Sequence, residues 1–255
     1  MNKIIFLGTA SGKTSLERNH TSIYFDFGST NLLIDCGDGI SKSLLKNEIN
    51  FNSIKNIFIS HFHADHFAGI ASLITQMKLE NRNEELNIHV YKSFVDTIKF
   101  FLNSTYMFEE SIGFKISYHP LEFNIESFIN DEVGFIIKKN SHINKKEELK
   151  YYPDSLFNSS SILIKNNNQN IFYTSDIASK EDLFLFKDDK IDILISESMH
   201  ISLENIYDAV KIHNPQKTFL VHYNDEDKTK IFNWIKINLL SEKIILANDD
   251  LNYTI

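Results

Sequence analysis

His61-Phe62-His63-Ala64-Asp65-His66 is the stretch that decides both the fold and the chemistry expected of this chain. It places three histidines and one aspartate within six residues. The apolar run Ile57-Phe58-Ile59 before it predicts a buried strand, and Gly69-Ile70 after it are expected to begin a helix. The motif therefore lies on a strand-to-helix loop. Imidazole and carboxylate suit Zn²⁺, Mn²⁺ or Fe, and they leave a bound metal room to hold a water molecule.

The spacing within this motif predicts two neighbouring metal sites. Alternate side chains of an extended segment share a face, so His61 and His63 are expected to hold one metal together. Asp65 and His66 fall on the following turn and point elsewhere, which suits a second metal nearby. The alternative is a histidine-rich surface loop, which the preceding strand and the regular alternation disfavour.

Length and composition indicate a soluble globular protein. The chain has 255 residues, of which 42% are hydrophobic and 24% charged, which fits one large domain or two small ones. No apolar run is long enough for a transmembrane helix, and residues 1–8 are expected to form a first strand and not a signal peptide. The single cysteine, Cys36, excludes an internal disulfide and fits the reducing cytoplasm. A buried, inert thiol is the favoured interpretation of Cys36.

The charge balance argues against a broad nucleic-acid surface. The net charge is −8 and the pI is about 5.7, so a global basic surface is absent. Local basic pairs at Lys138-Lys139 and Lys145-Lys146 leave a polynucleotide substrate open.

Strand-like and helix-like runs predict a layered α/β arrangement, with sheets inside and helices outside. Among the predicted elements are a strand over 114–119 and helices over 67–78, 181–186 and 225–239. The asparagine-rich tract 166–170 predicts a hairpin turn. Residues 139–159 are too many for a plain connection, so this stretch is either disordered or a functional loop.

The stretch Gly8-Thr9-Ala10-Ser11-Gly12-Lys13-Thr14 looks like a phosphate-binding P-loop. A P-loop has four residues between its glycines, whereas this stretch has three. A nucleotide-binding P-loop is therefore disfavoured.

Further metal ligands are expected at the ends of other strands, because four side chains cannot complete two sites. His142, Asp176 and His222 each follow a predicted strand, which is where α/β folds place their chemistry. Each of them alone has a simpler explanation. Asp176, for example, could cap the next helix.

With these residues in place, the chain resembles the metallo-β-lactamase-fold hydrolases over essentially its whole length. The pattern His61-x-His63-x-Asp65-His66 followed by His142, Asp176 and His222 matches that family in order and rough spacing. The segments Phe6-Leu7-Gly8-Thr9, Arg18-Asn19-His20-Thr21-Ser22 and Leu33-Ile34-Asp35-Cys36-Gly37-Asp38-Gly39 look most like the ribonuclease Z branch and its phosphodiesterase relatives. The resemblance implies a single domain over residues 1–255, built as a four-layer αβ/βα sandwich with two mixed sheets flanked by helices.

The resemblance also implies a division of the ligands between two divalent metal ions. Zn²⁺ is the default, and Mn²⁺ or Fe would fit the same ligands. One metal is assigned to His61, His63 and His142, and the other to Asp65, His66 and His222. Asp176 would bridge both metals. Asp35 looks like the aspartate that steadies the loop at 61–66, although it could also be a plain turn residue.

This site implies a hydrolase in which a hydroxide shared by two metals attacks a phosphodiester. Asp65 is expected to orient the attacking water or to take its proton. Glu197 and His200 look like the pair that works at the scissile phosphate in the ribonuclease Z branch, with His200 protonating the leaving group. The segment between them is much shorter here, which leaves a supporting role open for both.

Several alternatives remain. A carboxylic ester, lactone or thioester hydrolase would use the same ligands, and a binding protein that keeps the fold without catalysis is less favoured. Residues 139–159 contain one proline and no glycine, unlike the Gly- and Pro-rich arm with which ribonuclease Z grips transfer RNA. A small or nucleotide phosphodiester is therefore favoured over a tRNA 3′-processing endoribonuclease. A homodimer is possible by resemblance.

Overall fold

The computed structural model describes residues 2–144, 147–166 and 169–255. In these ranges the strands form two seven-stranded sheets. The strands are β1 Lys3–Gly8, β2 Ser22–Asp26, β3 Asn31–Ile34, β4 Asn56–Ile59, β5 Leu86–Tyr91, β6 Ile116–Leu121, β7 Glu126–Phe128, β8 Val133–Lys139, β9 Ser160–Asn166, β10 Gln169–Tyr173, β11 Ile193–Glu197, β12 Lys217–Val221, β13 Ile244–Leu246 and β14 Asn252–Thr254. The α-helices are α1 Ile40–Lys46, α2 Ala64–Phe67, α3 Ile70–Leu79, α4 Val95–Ser104, α5 Glu109–Ile112, α6 Leu203–His213 and α7 Lys228–Ile237.

The two sheets share one plan. The first has the order β14-β1-β2-β3-β4-β5-β6, antiparallel from β14 to β3 and parallel from β3 to β6. The second has the order β13-β12-β11-β10-β9-β8-β7, parallel from β13 to β10 and antiparallel from β10 to β7. The carboxyl ends of the parallel strands in each sheet consequently lie at one edge, which is where ligands bind in sheets of this kind.

Three apolar clusters define four layers. A central core joins the inner faces of both sheets, with Phe6, Phe25 and Phe58 from the first sheet and Phe135 and Phe219 from the second. A second cluster packs the outer face of the first sheet against α1, α3 and α4, and a third packs the outer face of the second sheet against α6 and α7. Strands buried on both faces need near-continuous apolar runs, which explains sequences such as Ile57-Phe58-Ile59. The predicted αβ/βα sandwich is confirmed.

Several element predictions need correction. The helix predicted over 67–78 is two helices, α2 and α3, which are separated at Ala68 and Gly69. A Cβ at Gly69 would lie 2.3 Å from the carbonyl oxygen of Gly37, so the chain passes too close to this loop for any larger residue. The strand predicted over 114–119 occupies Ile116–Leu121.

The segment predicted as a helix over 181–186 is a 3₁₀ turn, Lys180–Phe184. The helix predicted over 225–239 begins with a 3₁₀ turn, Asp225–Asp227, and continues as α7. The short elements β7, α5 and β14 were not predicted, because three or four residues are too few to show a period.

The polar stretches are partly described. Strands β9 and β10 pair antiparallel, as expected for a hairpin at 166–170, although residues 167 and 168 of its turn lie outside the described residues. The loop 139–159 contains two short 3₁₀ turns, Glu148–Lys150 and Asp154–Leu156. The basic pair Lys145-Lys146 lies outside the described residues.

Candidate metal centre

The loop after β4 changes from extended to helical backbone within the histidine motif. His63 is extended, with φ −66° and ψ 144°, and it directly precedes α2, which carries Asp65 and His66. Phe62 points away from its two histidine neighbours and stacks on Phe94, with ring centroids 4.3 Å apart. His61 and His63 therefore share one side of the chain, as the alternation predicts.

One group of potential ligands surrounds His61. It consists of His61, His63, His142 and Asp176, each offering one atom, and all four atoms lie within 4.8 Å of one another. Nε2 of His142 lies 3.0 Å from Nδ1 of His63 and 3.4 Å from Oδ2 of Asp176. The long loop after β8 thus brings His142 back to the motif.

The other group surrounds His66. It consists of Asp65, His66, Asp176 and His222, again with all four atoms within 4.8 Å. Nε2 of His222 lies 3.1 Å from Oδ2 of Asp65 and 3.3 Å from Oδ2 of Asp176. Nε2 of His66 lies 3.2 Å from Oδ1 of Asp176. Asp176 belongs to both groups, which is the position that the family resemblance gave it.

The protonation of these side chains fits divalent metal ions. Burial, together with the charge of His66, holds the pKa of His61 well below its ordinary value, so His61 offers a lone pair. Nε2 of His61 is buried and makes no hydrogen bond within the described residues. Burial opposes ionisation of Asp176, but the neighbouring histidines outweigh it and hold the pKa of Asp176 well below its usual range. Burial opposes the charge of His66, but the carboxylates of Asp176 and Asp35 outweigh it and hold the pKa of His66 well above its ordinary value, so a metal ion would displace a proton from this ring. Imidazoles facing a shared carboxylate are the donor set of a dinuclear centre.

Asp65 and His142 differ in charge. Burial works against ionisation of Asp65, yet the hydrogen bond to His222 and the charge of His66 lower its pKa to about 2. Burial lowers the pKa of His142 to about 4, with a contribution from the charge of His63. Asp65 therefore stays ionised and His142 neutral at neutral pH, which is the state that metal binding requires.

A buried polar network holds His61 in position, and sequence reasoning missed it. Oγ of Ser60 donates to Oδ2 of Asp35 at 2.9 Å and lies 3.1 Å from Nδ1 of His61. Oγ of Ser175 donates to Oγ of Ser60 at 2.9 Å. Because the hydroxyl proton of Ser60 is donated to Asp35, Oγ of Ser60 accepts a hydrogen bond from the Nδ1–H of His61, and Nε2 is left to face the site. The only signal in the sequence is that Ser60 and Ser175 directly precede His61 and Asp176.

Glu197 and His200 lie beside the second group. An oxygen of Glu197 and a ring nitrogen each of His200 and His222 lie within 4.8 Å of one another. Oε2 of Glu197 accepts from the backbone N–H groups of Met199 and His200 at 2.7 and 2.9 Å, which fixes the turn after β11. The hydrogen bond to Glu197 raises the pKa of His200, whose ring also lies 5.1 Å from that of His142. His200 lies only three positions after Glu197, and this short turn is enough to bring it to the site.

The loop at residues 8–14, which looks like a P-loop in the sequence, also borders the centre. A Cβ at Gly12 would lie 3.3 Å from Oδ2 of Asp65, so the chain at Gly12 passes directly over this carboxylate. Gly12 therefore forms part of the wall of the site beside Asp65.

A cavity of about 350 Å³ opens beside His200. Its lining combines apolar and polar side chains, among them Met199, Leu203, Glu204, Lys230 and Trp234.

In the part of the chain that the structure describes, no helix has the length and apolar character to cross a membrane.

Comparison with known proteins identifies relatives. A ribonuclease Z of Methanocaldococcus jannaschii is 27% identical over 99% of this chain and 97% of its own length. A ribonuclease Z of Archaeoglobus fulgidus is 42% identical over 87 residues, which are 34% of this chain and 28% of that protein. The matched part thus spans less than a third of that curated relative.

The fold has a close structural counterpart as well. The crystal structure of the metallo-β-lactamase fold protein YhfI from Bacillus subtilis superposes with a TM-score of 0.78 at 15% identity, covering 99% of this chain and 98% of that one. The family described as "Anti-Pycsar protein Apyc1" matches residues 2–243. The expected relationship to ribonuclease Z is confirmed, and the chain belongs to the Anti-Pycsar protein Apyc1 family, with the metallo-β-lactamase fold.

Proposed function

We propose that this protein is a metal-dependent phosphodiesterase acting on a small or nucleotide phosphodiester. The observation that carries the proposal is the pair of ligand groups joined by Asp176. Two bound divalent ions, most simply Zn²⁺, would supply an activated water and neutralise charge on the phosphate. The ribonuclease Z relatives support the choice of phosphodiester over other substrates.

Asp65 is proposed to hold the attacking water as well as to bind metal. Its carboxylate is ionised and largely buried, with Oδ2 turned toward His222. An anionic oxygen at this point accepts a hydrogen bond from the water and so orients it toward the phosphorus.

His200 is proposed to give a proton to the leaving group. Its ring is partly exposed and lies between the ligands His142 and His222 and the adjoining cavity. Nδ1 of His200 lies 3.5 Å from Oε2 of Glu197, which favours the protonated ring. Glu197 would act through His200, because its carboxylate is buried behind the turn.

The cavity beside His200 supports a small substrate. About 350 Å³ is at the lower end of the range for small-molecule pockets. Trp234 offers an aromatic surface there, on which a planar group such as a base could stack. We propose that this cavity takes the part of the substrate that leaves.

The first experiment measures metal content by elemental analysis and bis(p-nitrophenyl) phosphate hydrolysis on one preparation. We expect about two metal ions per chain, with turnover. Asp176→Asn should lower both quantities, because Asn cannot offer an anionic bridge. His119→Ala is the matched control, since His119 is exposed and contacts Asn87, away from the ligands. Absence of metal after reconstitution with Zn²⁺ or Mn²⁺ would refute the proposal.

Two other functions are tested in the same assay series. The same ligands would serve a carboxylic ester, lactone or thioester hydrolase, so turnover of a lactone or thioester with an inert phosphodiester would replace the proposal. The ribonuclease Z relatives favour precursor transfer RNA as the other alternative. Cleavage at its 3′ end, faster than that of any small diester, would identify a processing endoribonuclease.

Domain organisation, oligomeric state and location in the cell are also part of the proposal. A single domain, a homodimer and a cytoplasmic location stay predictions, the last supported by the lone buried thiol of Cys36. Sedimentation analysis of the purified protein tests the dimer.

A further inference from the structure

The backbone of His222 has a conformation that a histidine seldom adopts. Its φ is 52°, in the left-handed region, where the Cβ crowds the backbone. His222 directly follows β12, and this conformation turns its ring toward Asp65 and Asp176. Such strain persists only when surrounding contacts determine it, so the contacts around His222 are informative.

The residues on both sides of this turn are held by Arg18. The N–H of His222 donates to the carbonyl oxygen of Thr9 at 2.9 Å. Nη1 of Arg18 donates to the same oxygen at 3.0 Å, and Nη2 donates to the carbonyl oxygen of Tyr223 at 2.7 Å. The Arg18 guanidinium thus binds both the Thr9 carbonyl oxygen, which accepts from the His222 amide, and the carbonyl oxygen of Tyr223.

The guanidinium itself has little freedom. The Arg18 side chain is 3% exposed, and its Nε and Nη2 donate to Oδ1 of Asp225 at 3.0 and 2.7 Å. Its central carbon lies 3.9 Å from the centroid of the Tyr223 ring. A planar group with five fixed donors can satisfy these partners together, whereas an ammonium cannot.

Asp249 fixes Thr9, whose carbonyl oxygen accepts from both Arg18 and His222. Its Oδ1 accepts from the N–H and Oγ1 of Thr9 at 2.9 and 2.8 Å. Its Oδ2 accepts from the N–H of Asn19 at 2.6 Å. Thr9 therefore has a defined position, which makes its carbonyl oxygen a firm anchor for both Arg18 and His222.

We propose that Arg18 is a positioning residue for the second ligand group: its clamp on Thr9 and Tyr223 keeps His222 in the left-handed conformation that aims its imidazole at Asp65 and Asp176. The inference rests on the proposed metal centre and is independent of the substrate. It predicts that loss of the clamp weakens the site of Asp65, His66 and His222 and spares the site of His61, His63 and His142.

Arg82 provides a matched control. As a whole residue it is 3% exposed, against 6% for Arg18, and its guanidinium also donates to backbone carbonyl oxygens, those of Asn52, Glu84 and Glu85. It lies before β5, at the amino ends of the parallel strands, whereas the candidate centre lies at their carboxyl ends. Any general loss of stability or metal affinity from replacing a buried arginine should therefore appear when either Arg18 or Arg82 is replaced.

The experiment compares Arg18→Lys with Arg82→Lys. Metal content and chelator competition give the affinity of each ion, and amide hydrogen exchange of the metal-free protein reports on the His222 N–H. For Arg18→Lys we expect the ion held by Asp65, His66 and His222 to lose about 10- to 100-fold in affinity, as when other residues that orient metal ligands are replaced. The ion held by the other group should be retained. The His222 amide should exchange faster in the same variant. Arg82→Lys should change neither measurement.

The outcomes separate this inference from the proposed function. The inference would be overturned if Arg18→Lys left unchanged both the affinity for the ion held by Asp65, His66 and His222 and the exchange rate of the His222 amide. Equal losses of metal affinity in Arg18→Lys and Arg82→Lys would also overturn it. If Arg18→Lys fails to fold, Asp225→Asn loosens the guanidinium from an exposed carboxylate and should show a smaller loss of the same ion. A wild type without metal would defeat the proposed function, while the exchange measurement would still test the clamp.

Discussion

Nδ1 of His66 donates a hydrogen bond to Oδ2 of Asp35 at 2.7 Å, and both side chains are fully buried. Oδ1 of the same carboxylate accepts from the N–H of Ser60 at 2.8 Å. Asp35 thus holds the chain at both ends of the histidine motif and fixes the ring of His66 with Nε2 toward Asp176. Carboxylate behind imidazole is the usual means of orienting a histidine that binds metal.

Replacing Asp35 should weaken the metal centre without reshaping it. Asp35→Asn keeps the volume but removes the charge that favours the Nδ1 proton of His66, so we expect a 10- to 100-fold loss of metal affinity, measured by chelator competition. Asp208→Asn, at an exposed position on α6, serves as the control. Equal affinities in the two variants would show that Asp35 does not orient His66.

Gly37 should tolerate no side chain, because two loops meet there. A Cβ at Gly37 would lie 2.3 Å from the carbonyl oxygen of Asp65 and so displace a backbone that carries two ligands. We expect Gly37→Ala to lower the midpoint of thermal unfolding and the metal content together. In Gly134→Ala the Cβ would lie 3.0 Å from the exposed ring of Phe128 and 3.2 Å from the carbonyl oxygen of Ser127, which requires much smaller shifts, so both quantities should stay near those of the wild type.

His200 should matter most for substrates whose leaving group needs a proton. For an alkyl leaving group, we expect His200→Ala to lower kcat by about 10²- to 10⁴-fold, the usual contribution of general acid catalysis. p-Nitrophenolate departs without a proton, so kcat for a p-nitrophenyl diester should fall much less. The measurement is kcat for a pair of diesters that differ only in this group, and equal losses for both would exclude the proton-donor role.

Trp234 should affect substrate binding more than turnover. Its ring lines the cavity beside His200, and stacking on an aromatic side chain contributes about 1–3 kcal/mol per base. For a nucleotide diester, Trp234→Ala is expected to raise KM about tenfold with kcat nearly unchanged, and Trp234→Phe should restore most of the difference. Phe232→Ala is the control, since this exposed residue of α7 lines a different cavity. A fall in kcat alone would show that the cavity does not hold substrate.

His89 should make the fold sensitive to acid. Burial, with the charge of His119, lowers the pKa of His89 from 6.5 to about 3. The unfolded chain therefore binds a proton at a higher pH than the folded one, and stability falls as the pH decreases from about 6.5 toward 3. At pH 5 this amounts to about 2 kcal/mol.

The variant that tests this is His89→Gln, whose amide can still donate to Oδ1 of Asn56, the partner of Nε2 of His89 at 3.1 Å. Urea unfolding at pH 7 and pH 5 should show a smaller loss of stability in His89→Gln than in the wild type. Acid effects from the metal centre are common to both proteins and cancel. A loss of the same size in both would contradict the assignment to His89.

The layered fold and the ligand identities follow from local patterns. Apolar runs such as Ile57-Phe58-Ile59 predict buried strands, because a strand covered on both faces has few places for polar side chains. The candidate ligands His142, Asp176 and His222 are recognisable for a related reason. Each is a polar side chain just beyond an apolar strand, at the edge where the parallel strands end.

Boundaries and short elements do not follow from the sequence. The break between α2 and α3 arises from the close approach of Gly69 to Gly37, which are distant in the chain. The 3₁₀ turn at Lys180–Phe184 has a Ser179–Asp182 capping box, a helix-start signal that says nothing of how far the helix continues.

The sequence by itself determined the types of the candidate ligands, their order and the strands that carry them, because these depend on residue chemistry and on neighbours within a few positions. Only the tertiary structure decided which side chains meet. The hydrogen bond from Ser175 to Ser60 beside His61, the contact between the rings of His142 and His200 and the clamp of Arg18 on the backbone around His222 all join segments far apart in the chain. Such contacts leave no local pattern, because they depend on how two sheets pack face to face and not on the period of either one.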